Sequence, residues 1–210
     1  MLFLLALLSV LQVESENTLI IRTVNLAPLP GDVIDSARYG PPQVRIPTRQ
    51  GPALVWLLRA SDTVFVAANI ADSTPSWHDD LVLSIDIKGD GGPSPQHDDF
   101  QLDFRRVLDS SVVYRGRNGR WQPPQDNPDW RLGSGRSGGG WEVGGREDGR
   151  SWNLILRLDP AWLEGNEGRL TRMAFRIYDD SPSGWFSWPR PRGAAPTEVE
   201  QVPDQWAPVR

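Results

Sequence analysis

The chain has 210 residues, 27 acidic against 22 basic side chains, a net charge of −5, ten Trp, 20 Gly, 19 Pro and no Cys. That length carries one domain with a full hydrophobic core. The acidic balance excludes the basic stripe that a nucleic-acid surface needs, and the lack of Cys excludes disulfides.

Leu2 to Leu11 (LFLLALLSVL) is an apolar run too short to span a bilayer. Val13 and Ser15 stand where small residues precede a cleavage, so residues 1–15 read as a secretory signal peptide. The expectation is a secreted or periplasmic protein without a membrane span. Residues 16–190 then form one domain, and 191–210 a Pro-rich, irregular tail with Trp206 tucked back onto it.

Within the domain, Thr18 to Val24 predicts a first strand, followed by a loop carrying Asp32, Asp35 and Tyr39. Val44–Ile46 and Ala53–Arg59 predict strands, and Ser61-Asp62 a tight turn. Thr63 to Ile70 is apolar at nearly every position, which fits a strand buried on both faces. Leu81 to Ile87 alternates, with Leu83, Ile85 and Ile87 on one side and Val82, Ser84 and Asp86 on the other. In Phe100 to Arg105, Leu102 and Phe104 point inward, and Gln101, Asp103 and Arg105 outward. Two acidic loops flank the middle strand: DSTPSWHDD before it and KGDGGPSPQHDD after it.

Ser111–Arg115 predicts a further strand, with Asn118-Gly119 as a mirror-image hairpin turn. A long Trp-decorated loop follows. Trp141–Gly145 and Trp152–Leu158 pair as a hairpin, and Asp159 to Leu163 makes one helical turn with Asp159 as its cap. Leu170 to Tyr178 predicts the last clear strand, with Met173, Phe175 and Ile177 inward. Short apolar runs separated by Gly, Pro and Asp clusters, without long helical periodicity, predict an antiparallel all-β sandwich. A jelly-roll or immunoglobulin-like arrangement of about nine to eleven strands fits that pattern.

The chemistry is carried by tryptophans and aspartates. A pyranose offers apolar C–H faces and a rim of hydroxyls, matched by a flat aromatic ring with Asp, Asn, Gln or Arg around it. Trp56, Trp152 and Trp162 sit in apolar runs and are expected in the core. Trp77, Trp130, Trp141, Trp185 and Trp188 sit in loops; the first four are candidate ligand-binding residues, with Gln101 and Asp103 as polar partners. Calcium takes several oxygen ligands from flexible loops, and Asp79, Asp80, Asp90, Asp98 and Asp99 are candidate ligands. The same residue type also forms Asx-turns that cap the local backbone, and both readings stay open.

Glycosidases use two carboxylates, but neighbouring residues on a strand point to opposite faces. The pairs Asp79-Asp80, Asp98-Asp99 and Asp179-Asp180 therefore cannot each straddle one bond. His78 and His97 are the only histidines, and no catalytic residue is assigned.

The succession of an apolar strand, Asp72 to Asp80 as D-x-T-P-x-W-x-D-D, a strand ending in Asp86, a Gly/Asp-rich turn and the D-F-Q-L strand from Asp99 resembles the family 9 carbohydrate-binding modules. These sit within a wider group of sandwiches that includes DOMON-type domains. The closing aromatic segment Ser187-Trp188-Pro189 fits the same pattern. The resemblance implies a β-sandwich that is not an enzyme, binds poly- or oligosaccharide between two aromatic rings and often holds structural calcium. It matches those rings to Trp77 and Trp185, leaving Trp188 structural. Some DOMON-type domains carry haem on Met and His or Lys. Here Met173, the only methionine after Met1, falls on a core position, so haem is not expected. A haem-binding electron-transfer domain and a ligand-free cell-envelope interaction domain are the alternatives.

Overall fold

A computed structural model describes residues 18–106, 111–122, 131–132, 141–158, 171–180, 183–190 and 201–210. The signal segment, Trp130 and the turn expected at Asp159–Leu163 with Trp162 lie outside the described residues.

The described strands are β1 (Arg22–Thr23), β2 (Val44–Pro47), β3 (Pro52–Ala60), β4 (Thr63–Ala71), β5 (Asp80–Asp86), β6 (Asp99–Arg105), β7 (Ser111–Arg117), β8 (Arg120–Gln122), β9 (Arg131–Leu132), β10 (Trp141–Glu147), β11 (Ser151–Leu158), β12 (Arg172–Asp180), β13 (Ser183–Trp188) and β14 (Ala207–Pro208). They form two sheets. In the six-stranded sheet β3, β4, β11 and β10 lie in that order, all antiparallel, with β1 and β2 sharing the free edge of β3. In the eight-stranded sheet the order is β13, β12, β5, β6, β7, β8. There β14 adds to β12, and β9 adds to β7.

The expected all-β sandwich is the fold found. Its strand number is higher than the alternation predicts, because β1, β8, β9 and β14 are two- or three-residue edge strands. A pattern that short has no period to read. Of Thr18–Val24, only Arg22–Thr23 enters a ladder, and it pairs parallel with Leu58–Arg59.

The core lies between the sheets. Val66, Ala68 and Ile70 of β4 and Leu154 and Leu156 of β11 face Leu81, Leu83 and Ile85 of β5 and Met173, Phe175 and Ile177 of β12. Met173 is fully enclosed, as its alternation implied. The near-continuous apolar run of β4 is explained by its place between β3 and β11. Its other face, Phe65 and Ala67, packs with Trp56, Leu58 and Ile155 under Ile34 and Tyr39 of the preceding segment. That segment was expected to be a plain loop. It contains a single helical turn, Ser36–Tyr39, capped by the Asp35 side chain and ended by Gly40 at φ 73°. Among the described residues no helix is long and apolar enough to cross a membrane.

The chain end is not irregular. After a short 3-10 turn at Pro203–Gln205, β14 pairs with Arg172 and Met173, and Val209 bridges Leu19 in parallel. Trp206 is 2% exposed, tucked back as its apolar bulk predicts.

Candidate functional site

The loop between β4 and β5 carries the chain from one sheet to the other. Its shape is set by its own side chains. Asp72 Oδ1 accepts from the Thr74 N–H at 2.8 Å, and Asp79 Oδ2 accepts from the Ser76 N–H at 2.7 Å. Both are local side-chain turns of the kind Asp favours. Held between them, Trp77 projects from the surface with 54% of its area exposed, and the His78 ring covers one side of it at 3.3 Å between centroids.

Trp185 enters from β13. It stands opposite Tyr178 of β12, with ring centroids 4.4 Å apart, and the Arg176 guanidinium carbon lies 3.7 Å from the indole centroid. Asp180, at the end of β12, joins the two aromatic groups. It accepts from Ser76 Oγ at 2.7 Å and from the Tyr178 hydroxyl at 3.3 Å, and it lies 3.5 Å from His78 Nδ1. The Ser76 hydroxyl first, and then His78 and Tyr178, hold the Asp180 carboxyl below its ordinary value. A continuous path of contacts, Trp77–His78–Asp180–Tyr178–Trp185, therefore places both indoles at one end of the eight-stranded sheet.

The register extends that end into a polar band on the face turned away from the core. One row reads Trp185, Tyr178, Asp80, Arg105. The next reads Ser187, Arg176, Val82, Asp103, Val112, and the third Ala174, Ser84, Gln101, Tyr114. Val82, Ser84, Ala174 and Gln101 are buried, although they face outward. At the far side Trp121 stacks parallel on Trp206, 6.3 Å between centroids, over Ala174. Burial, and then the charge of Asp103, pushes the Asp80 carboxyl up to about 8 against the pull of Arg176. Its Oδ1 is buried and has no hydrogen-bond partner.

Of the residues singled out from the sequence, Trp77, Trp185, Asp103 and Gln101 share this face. Trp141 does not join them: its backbone opens β10, at the edge of the other sheet, opposite Leu158. Trp130 lies outside the described residues. The group that alternation alone overlooked is Arg176, Tyr178 and Asp180. The first two are outward alternates of the same strand whose inward residues were read correctly, so the period-two pattern already contained them.

The five aspartates proposed as metal ligands do not form one centre. Asp80 belongs to the polar band. Asp79 meets Asp72 and Asp179, and Arg106 reaches two of the three, with its Nη1 2.5 Å from Asp72 Oδ2 and 3.4 Å from Asp79 Oδ2. Asp98 and Asp99 meet Asp86, and Asp90 lies exposed nearby.

A structural calcium, which the sequence resemblance implies, fits this last cluster. The carboxylate oxygens of Asp86, Asp98 and Asp99 lie within 4.8 Å of one another, and the buried Asp98 Oδ2 and Asp99 Oδ1 have no hydrogen-bond partner. Asp86 is fixed by the Gly89 and Gly91 N–H groups at 2.6 and 2.8 Å, and Asp99 by the Gln96 N–H at 2.6 Å. Burial first, then the neighbouring carboxylates, raises Asp99 to about 8 and Asp86 above its ordinary value. Hard oxygen donors pressed together are what a divalent cation relieves.

The fold is that of the family 9 carbohydrate-binding modules. Two solved structures of such a module from Caldicellulosiruptor kristjanssonii superpose on it. The one in complex with glucose has a TM-score of 0.56 and 14% identity, covering 92% of this chain and 94% of that one. The one in complex with cellotriose has a TM-score of 0.56 and 13% identity, covering 92% of each. No protein-family model matches the chain, and neither does any curated protein sequence.

Proposed function

We propose that this is a secreted or periplasmic, non-catalytic carbohydrate-binding domain that holds a poly- or oligosaccharide against Trp77 and Trp185. One observation carries the reading. An indole left half open to solvent is locked, through Asp180, to a second indole that borders a polar band containing Arg176, Asp80 and Asp103. Rings supply the flat apolar surface for C–H faces, and the polar side chains supply donors and acceptors for hydroxyls. The glucose and cellotriose held by the superposed modules support a neutral β-glucose unit as the first ligand to try. Two ring contacts of roughly 1 kcal/mol each plus a few net hydrogen bonds give about 4 to 6 kcal/mol, a Kd between millimolar and tens of micromolar.

Calcium belongs to this reading as a brace. Asp86, Asp98 and Asp99 would hold it, and its charge would offset theirs. The paired acids are assigned no catalytic part: Asp79 and Asp179 turn into the protein while Asp80 and Asp180 turn out, so neither pair presents two carboxyls to one bond.

Affinity electrophoresis and calorimetry with cello-oligosaccharides, xylan and soluble β-glucans test the reading. Retardation by at least one of them, weakened about fivefold in affinity by Trp185→Ala, is expected. A folded protein that none of them retards would contradict it.

A further inference from the structure

Asp72, Asp79 and Asp179 reach one point from three segments: the end of β4, the start of β5 and the end of β12. Their carboxylate oxygens lie within 4.8 Å of one another, and all three side chains are buried. Three such oxygens from loop junctions make a donor set suited to a hard divalent cation. Calcium nevertheless does not fit here, because the place is taken.

The Arg106 side chain, 1% exposed, enters the cluster from the end of β6. Its Nη1 donates to Asp72 Oδ2 at 2.5 Å and lies 3.4 Å from Asp79 Oδ2, its Nη2 donates to the Asp72 carbonyl at 3.4 Å, and its Nε donates to Glu147 Oε1 at 3.0 Å. Its backbone N–H donates to the Asp79 carbonyl at 3.0 Å. A guanidinium delivers a fixed positive charge with donors in several directions, which is the service a bound ion gives to carboxylates.

The same carboxylates also hold the aromatic loops. Asp79 Oδ2 accepts from Ser76, the neighbour of Trp77, and Asp79 Oδ1 accepts from the Asp180 N–H at 3.1 Å, just before the turn into β13 and Trp185. Gln50 bridges the Ser73 N–H at 3.0 Å and Asp179 Oδ1 at 3.3 Å, closing the same junction. Without a cation at the centre, buried carboxylates would repel and these backbone contacts would loosen.

We infer that Arg106 is the resident cation of the Asp72–Asp79–Asp179 cluster and the positioning residue for the Trp77 and Trp185 rings. This rests on the proposed saccharide site for its functional half, whereas its cation half stands alone.

The test compares wild type, Arg106→Ala and Arg106→Lys by calcium titration calorimetry and by saccharide affinity with cellotriose as probe. Arg106→Ala is expected to bind one more calcium than wild type does, and to bind cellotriose about fivefold more weakly in chelator, the equivalent of one lost ring contact. Millimolar calcium is expected to restore that affinity. Arg106→Lys keeps the charge and should gain no calcium site. An unchanged calcium count in folded Arg106→Ala would overturn the resident-cation assignment. Undiminished cellotriose affinity in the same variant would overturn the positioning role. If wild type binds no saccharide, the proposed function fails, but the calcium count still decides the cation, and iodide quenching of Trp77 against a Trp77→Phe control reads the positioning. If Arg106→Ala does not fold, Asp179→Asn in the otherwise native chain replaces it: an unchanged calcium count supports the inference, and a loss of one site overturns it.

Discussion

Trp77 and Asp80 stand three residues apart and illustrate opposite uses of exposure. Trp77 stands 54% open, a large apolar ring in water that packing does not require. Truncating it to alanine should leave stability within about 0.5 kcal/mol, as for other exposed positions. The same change should weaken saccharide binding about fivefold, the worth of one ring contact, in calorimetric titration. Asp80 is half-buried beside Asp103 with its Oδ1 covered, and burial pushes its carboxyl up to about 8. The folded state therefore keeps a proton that the unfolded chain, with an ordinary carboxyl near roughly 4, has already released. Proton linkage then makes stability from this group fall as pH rises from about 4 to about 8 and level off beyond. Thermal melts across that range should show the decline, and Asp80→Asn should make it shallower, leaving the share of Asp99 and Asp86. A wild-type melting temperature that rises through this window, or an Asp80→Asn profile parallel to wild type, would contradict that assignment.

At the scale of elements, legibility follows period and length. The strands β4, β5, β6 and β11 announced themselves because each has seven or more residues with a consistent burial pattern. The strand β13 did not, although Trp185 and Ser187 alternate with Phe186 and Trp188, because Gly, Ser and Pro around it carry the signature of a loop. The hairpin at Asn118-Gly119 was legible from that dipeptide alone: φ values of 52° and 77° at the two positions are the mirror-image turn. Pairing across distance was not legible. Nothing local says that Asp204 accepts from the Gly92 N–H at 2.8 Å, or that the carbonyl of Gln96 comes against Gly116. A Cβ at Gly116 would meet the Gln96 carbonyl oxygen at 2.1 Å, and backbone cannot swing aside as a side-chain tip can. Gly116→Ala should cost about 1 to 3 kcal/mol, the range for overpacking, read as a lower melting temperature. An unchanged melt would mean that the loop from β5 to β6 is not clamped against β7.

Across the whole molecule, the two ends of the described chain are tied together. Leu19 N–H donates to the Pro208 carbonyl at 2.8 Å, Arg210 N–H donates back to the Leu19 carbonyl at 2.8 Å, and Val209 N–H donates to the Thr171 carbonyl at 2.8 Å. Composition suggested a tail. The Pro-rich run hid a terminal strand whose Trp206 closes the outer face over Ala174. Trp206→Ala should therefore cost about 3 to 5 kcal/mol, as for other buried tryptophans, and lower the melting temperature accordingly. The same molecular scale separates what the sandwich does on its two sides. The outer face of the six-stranded sheet is roofed by Ile34 and Tyr39, while that of the eight-stranded sheet ends in two indoles linked through His78, Asp180 and Tyr178. The aspartates were conspicuous in the sequence, but their division among a polar band, an arginine and a candidate calcium cluster depended on which strand each one ends. Local spacing does not carry that information.

Titration calorimetry of the folded domain with cellotriose, in calcium, tests the central claim most directly, with the Trp77→Ala, Trp185→Ala double variant alongside. The account predicts one site per chain, a Kd between about 10 μM and a few millimolar, and no measurable heat from the double variant. Binding undiminished in the double variant would contradict it.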